Sequence, residues 1–166
     1  MTAQVALEAY RAVVAGQFDA FRELFDRHPE LLQAETPFGS LLHVAASHGH
    51  MEVVRGLVSL GADVNRRGGT FAGAPINVAA SNGYLDIVRY LLEAGATLDI
   101  SEPERNPLFG AVYGGHLQVV RVLVQAGIDT DIRYTGESME AMDAAAFAKE
   151  RGQVEIASYL EGLQRK

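Results

Sequence analysis

Cysteine is absent from the 166 residues, which excludes disulfides, thiolate metal sites and cysteine nucleophiles together. Lysine is nearly absent, with only Lys149 and Lys166 against twelve arginines, a bias that fits a GC-rich bacterial genome. Positive charge never accumulates beyond the pair Arg66-Arg67, and the net charge is −7. Such a chain repels a phosphate backbone, so nucleic acid is not an expected partner, whereas a basic protein suits the charge. No apolar run approaches the ~20 residues that span a bilayer, so no membrane association is expected. Met1 to Tyr10 lacks a basic region leading into an apolar one, and with no secretory signal the expected location is cytoplasmic. Hydrophobic residues make up 48 % and charged residues 21 %, a globular mixture of one-domain length.

What the chain has is an internal repeat. Ser40-Leu-Leu-His-Val-Ala-Ala-Ser-His-Gly-His-Met-Glu-Val-Val54 aligns with Ala74-Pro-Ile-Asn-Val-Ala-Ala-Ser-Asn-Gly-Tyr-Leu-Asp-Ile-Val88. Both align with Asn106-Pro-Leu-Phe-Gly-Ala-Val-Tyr-Gly-Gly-His-Leu-Gln-Val-Val120. Gly49, Gly83 and Gly115 are spaced by 34 and 32 residues, and Gly61, Gly95 and Gly127 repeat both spacings. Within a unit, an alanine-rich helix over 41–47 ends at a glycine able to turn left-handed. Met51, Val53, Val54, Leu57 and Val58 then recur at the spacing of a second helix. Neither helix can bury its apolar face alone, so stability has to come from stacking on neighbouring units.

The pattern resembles the ankyrin repeat, Thr-Pro-Leu-His-x-Ala-Ala-x-x-Gly-His-x-Glu-Val-Val with a later Gly-Ala-Asp-Val-Asn. The resemblance implies an all-α solenoid of stacked helix-turn-helix units with β-hairpin-like fingers. Residues 1–166 read as one such domain. Full repeats cover 36–67, 68–101 and 102–133, between capping units at 1–35 and 134–166. Gly115 to Gly152 is 37 residues, and the extra residues are expected in a longer first helix beginning at Ala141. The loop 66–73, glycine-rich and one residue longer than the norm, is expected to be a mobile finger. In the family, the Thr and His of the motif hydrogen-bond within and between repeats. Here those positions hold Ser40 and His43, then Ala74 and Asn77, then Asn106 and Phe109. The second and third repeats should therefore lack part of that network and lean on packing.

Chemical motifs are scarce. His43, His48 and His50 stand at i, i+5 and i+7, which does not put three ligands on one helical face. The glycines of 68–73 lack the Lys-Ser or Lys-Thr of a phosphate loop, and no nucleophile elbow or zinc-peptidase helix is present. No enzyme activity, metal or cofactor is expected.

The resemblance places function on a concave face lined by finger tips and first-helix ends. Carried over position by position, the first-helix ends are Ser47 and His48, Ser81 and Asn82, and Tyr113 and Gly114, with Glu150 and Arg151 in the cap. The finger positions are Arg66, Arg67 and Phe71, then Glu102, Glu104 and Arg105, then Arg133 and Tyr134. Phe71, Tyr113 and Tyr134 are expected to border one groove, with Arg67, Arg105 and Arg133 among them to take up carboxylates of a partner. Phe71 could instead fold back on Pro75. The implied function is protein binding by a chain that is monomeric when free. One form is an immunity protein that inhibits a basic bacterial toxin, the other a cytoplasmic adaptor or assembly factor with several partners.

Overall fold

The computed structural model describes residues 2–136 and 139–164, and over these the chain forms ten α-helices paired in sequence order. The first pair is α1 (Ala3–Val14) and α2 (Phe18–Arg27), followed by a 3-10 turn at Pro29–Gln33. A short hairpin, β1 (Glu35–Thr36) with β2 (Gly39–Ser40), leads into α3 (Leu41–His48) and α4 (Met51–Ser59). Then come α5 (Pro75–Ser81) with α6 (Leu85–Glu93), and α7 (Pro107–Gly114) with α8 (Leu117–Gln125). A second hairpin, β3 (Tyr134–Gly136) with β4 (Met139–Met142), precedes α9 (Ala144–Glu150) and α10 (Val154–Gln164).

The odd-numbered helices pack on one another in a row, and the even-numbered helices form a second row behind them. Alanines at 45, 46, 79, 80 and 111 are fully buried, and their short side chains let the front row close up. In the rear row, Leu57, Leu91 and Leu123 occupy equivalent positions and are also fully buried. Each contributes about 1.5–3 kcal/mol of burial energy. Two rear contacts add cations: Arg55 lies 4.6 Å over the Tyr90 ring and Arg121 lies 4.8 Å over Tyr159.

A recurring device joins the turns. Gly49 and Gly83 have φ of +74° and +77°, and a Cβ at either would strike an aromatic ring of the next unit. Tyr84 lies over Gly49 and His116 over Gly83, each with ring atoms 2.5 Å from the would-be carbon. Likewise His50 covers Gly16. Its Nε2–H donates to the Val14 carbonyl at 2.8 Å, as that of His116 does to Ser81 at 3.1 Å.

Two expectations change, and the 66–73 finger gains a definite closure. The extra residues of the last unit lie in the β3–β4 finger and not in a longer helix. Ala141 has φ +48°, outside any helix, and Asp143 caps α9 by accepting from Ala146 N–H. The loop 66–73 is closed by an antiparallel bridge, Gly68 N–H to Gly73 carbonyl at 2.9 Å. Its glycines seat it on the preceding finger, because a Cβ at Gly68 would lie 2.9 Å from the Gly39 Cα.

The polar network, expected to fade after the first full repeat, is instead rebuilt with other groups. In that repeat the His43 Nδ1 accepts from the Ser40 N–H at 3.1 Å, while its Nε2–H donates to the Gly73 carbonyl at 3.0 Å. Asn77 does the same work one unit on. Its Oδ1 accepts from the Ala74 N–H at 3.1 Å and its Nδ2 donates to the Arg105 carbonyl. In the third repeat Asn106 donates to the Tyr134 hydroxyl at 3.0 Å, which in turn donates to the Ile100 carbonyl at 2.6 Å.

Two measurements probe these features. Gly83→Ala and Gly95→Ala both force a side chain into a left-handed backbone, at about 1–2 kcal/mol. Gly95 opens on empty space, whereas Gly83→Ala also collides with His116 and should lose roughly 1–3 kcal/mol more in urea unfolding. Burial, opposed in part by the Gly73 carbonyl, holds the His43 pKa below its ordinary value. The unfolded chain therefore binds the extra proton once pH falls below about 6.5, and stability declines from there until the folded pKa is passed. Unfolding free energies at pH 7 and pH 5 should differ less in His43→Asn, where the neutral group copies Asn77.

Candidate functional site

Three large hydrophobic side chains stand exposed on the face made by fingers and front helices: Phe38 at 59 %, Phe71 at 65 % and Tyr113 at 60 %. Phe38 occupies the tip of the β1–β2 turn. Phe71 sits in the 66–73 finger, pointing outward and not folded back into the core. Tyr113 is on the last turn of α7. Two clefts run between them. The smaller, about 270 Å³, is lined by Phe38, Phe71, Ser47, Val78, Ser81 and Asn82 among others. The larger, about 710 Å³, is lined by Phe71, Tyr113, Phe147, Glu104, Glu150 and Arg151 among others. Phe71, Ser81 and Glu104 line both.

The polar residues carried over from the repeat pattern are turned back onto their own helices. Ser47 Oγ donates to the Val44 carbonyl at 2.8 Å, and Ser81 Oγ to the Asn77 carbonyl at 2.9 Å. Asn82 Nδ2 donates to the Val78 carbonyl at 2.8 Å. His48 bonds the Val44 carbonyl through Nδ1 and stacks on His50 at 5.9 Å, and it lines neither cleft. Gly114 has no side chain to offer, and a Cβ there would collide with the His116 ring and the Ser81 carbonyl.

Tyr134 is not a groove residue. Only 8 % of it is exposed, because its ring meets Phe109 edge-on at 4.9 Å and its hydroxyl closes the network above. Burial is the main reason that its phenol pKa is raised. The four finger arginines differ from expectation as well, since each already holds a carboxylate of this chain. Arg66 pairs with Glu35 at 2.5 Å, Arg67 with Asp99 at 2.6 Å, Arg105 with Glu102 at 3.2 Å and Arg133 with Asp143 at 3.5 Å. Each pair keeps one partner open to solvent, where ion pairs stabilise by about 0–1 kcal/mol, so their chief effect is to fix finger geometry. Burial would raise the Asp99 carboxyl, but hydrogen bonds from Ser101 and the charges of Arg67 and Arg105 outweigh it and hold the pKa low. Arg151 lies 4.2 Å over the Tyr113 ring.

A family model described as Ankyrin repeats (3 copies) matches residues 9–102 and 76–163. The chain belongs to the ankyrin-repeat family. The two matches together reach both end units, which the repeat pattern alone marks only by helix-glycine-helix rhythm. A comparison with curated proteins returns no match. Ankyrin repeats mark the chain as a protein–protein interaction module. Among the described residues, no helix is long and apolar enough to cross a membrane, and no group of three His, Asp or Glu is placed to hold a metal ion.

Two residues of the face escape the sequence pattern. Phe38 aligns with Ala72 and Glu104 in the next two fingers, so the tip position itself was the available signal. Phe147 reaches the larger cleft by stacking on Phe109 at 5.2 Å, a contact visible only once the units are stacked. Because Tyr134 is internal, Tyr134→Ala should cost about 3 kcal/mol or more of stability, as large core truncations do. Tyr113→Ala should stay within about 0.5–1 kcal/mol of the parent in urea unfolding, losing little beyond its contact with Arg151.

Proposed function

We propose that this ankyrin-repeat protein grips its partner along the finger face, with Phe38, Phe71 and Tyr113 as the anchoring side chains. The observation that carries this is their exposure: three large rings stand in water beside clefts instead of filling the core. Rigid aromatic side chains dominate interface energetics because they bury much area at little entropic cost. The opposite face lacks this feature, since its aromatics Tyr90 and Tyr159 are half-buried and covered by arginines. The net charge of −7 supports a basic partner, with stoichiometric inhibition of a toxic protein as the sharper form of the reading. A cytoplasmic adaptor with several partners is the other form. The first requires a single tight complex that abolishes the partner's activity, the second a set of weaker ones. The reading assigns the chain no catalytic step of its own.

The test is a titration of the partner recovered by affinity capture against single variants, with melting curves to confirm folding. One or two of Phe38→Ala, Phe71→Ala and Tyr113→Ala should weaken binding by roughly 2 kcal/mol or more. Arg89→Ala and Gln118→Ala, exposed on the rear helices, serve as controls and should change it by less than about 0.5 kcal/mol. Arg55 is unsuitable as a control because it packs on Tyr90. Loss of binding in the rear variants, with the aromatic variants unaffected, would remove the finger face from consideration.

A further inference from the structure

At one of the first-helix positions where the third full repeat differs from its neighbours, the side chain is lost. Val44 and Val78 are aligned there, and the third repeat has Gly110. Val78 lines the cleft of about 270 Å³ and Gly110 the cleft of about 710 Å³. A Cβ at Gly110 would strike the Ser81 hydroxyl, so the missing side chain lets α7 close on α5, and the cleft opens between the aromatic side chains around it. The walls of the larger cleft are aromatic, and its charge is lopsided. Glu104 and Glu150 line it without an ion-pair or hydrogen-bond partner among the described residues, whereas Arg67, Arg105 and Arg133 are already neutralised. The one cation that lines it, Arg151, rests on Tyr113. That contact shows the kind of group these walls accept: a cation whose flat or aliphatic body lies on an aromatic ring.

We propose that the larger cleft receives an arginine or lysine side chain from an exposed segment of the partner protein. Its stem packs between Phe71 and Phe147, and its charged head lies toward Glu104 and Glu150. The segment continues across Phe71 into the smaller cleft, which makes a peptide and not a free small cation the occupant. This inference rests on the finger face being the binding surface, and it reverses the charge of the contact expected from the arginine-rich fingers. Removing Arg151 then has opposite consequences for the two kinds of ligand. A cationic segment gains an open ring face and loses a repelling charge, while an acidic one loses its only unpaired attractor in the cleft.

The experiment selects displayed random short peptides on the immobilised full chain, then titrates the enriched peptide in solution against folded variants. Enriched peptides should carry Arg or Lys beside an apolar residue. Glu104→Gln combined with Glu150→Gln should weaken their binding roughly tenfold, and Arg151→Ala should strengthen it about two- to fivefold. Glu52→Gln combined with Asp86→Gln, exposed carboxylates on the rear helices, should leave it unchanged. Peptides without a cation that are still lost on Phe71→Ala would overturn the cationic occupant while leaving the finger face as the binding surface. Peptides lost only in the rear double variant would overturn both. Absence of enrichment over a blank surface, or weaker binding in Arg151→Ala, would likewise overturn the inference.

Discussion

A missing Cβ sets the spacing of the stack. At Gly49 and Gly83 the backbone must run left-handed to reverse the chain, and the following unit places a ring where a side chain would begin. Turn geometry and inter-unit contact are thus satisfied by the same atom's absence. Front helices can then close on alanines, rear helices can bury their leucines, and the fingers fall side by side. The layout of the finger face follows from that register, since Phe38, Phe71 and Tyr113 belong to three different units and meet only through stacking.

The units, their helices and their turns were legible in the sequence because repetition samples the same physics three times. Glycines at two locked spacings and apolar residues at helical intervals leave few other readings. The end units were harder. Ala141 looked like a helix start because alanine favours helix, yet the hairpin of 134–142 claims it and Asp143 begins the helix instead. Composition alone cannot separate an alanine in a strained turn from one in a helix.

The site was only partly legible, for reasons of exposure and pairing. Phe71 and Tyr113 stand where the pattern puts them, but Tyr134 is claimed by the interior. Phe109 replaces the motif histidine, and an aromatic partner from the next finger fills the space above it. The finger arginines could be counted but not assigned, since the carboxylates that hold Arg66 and Arg67 come from neighbouring units, Glu35 and Asp99, far away in sequence. The same separation hides Asn77 as a substitute for histidine. It reaches the next finger's carbonyl only when that finger is in place.

The side-chain hydrogen bonds that join units connect residues 28 to 36 positions apart, one unit to the next. The molecule is therefore wired like a chain of links, in which each unit feels its neighbours and learns of remote ones only through them. The end links are held from one side only, which in a stacked array leaves them with fewer stabilising neighbours. The larger cleft draws its lining from the finger of Phe71, from α7 and from α9, so it bridges three consecutive links including the last. Anything seated there clasps the C-terminal end to the middle of the stack. A partner seated there would therefore couple its own binding to the order of the terminal unit.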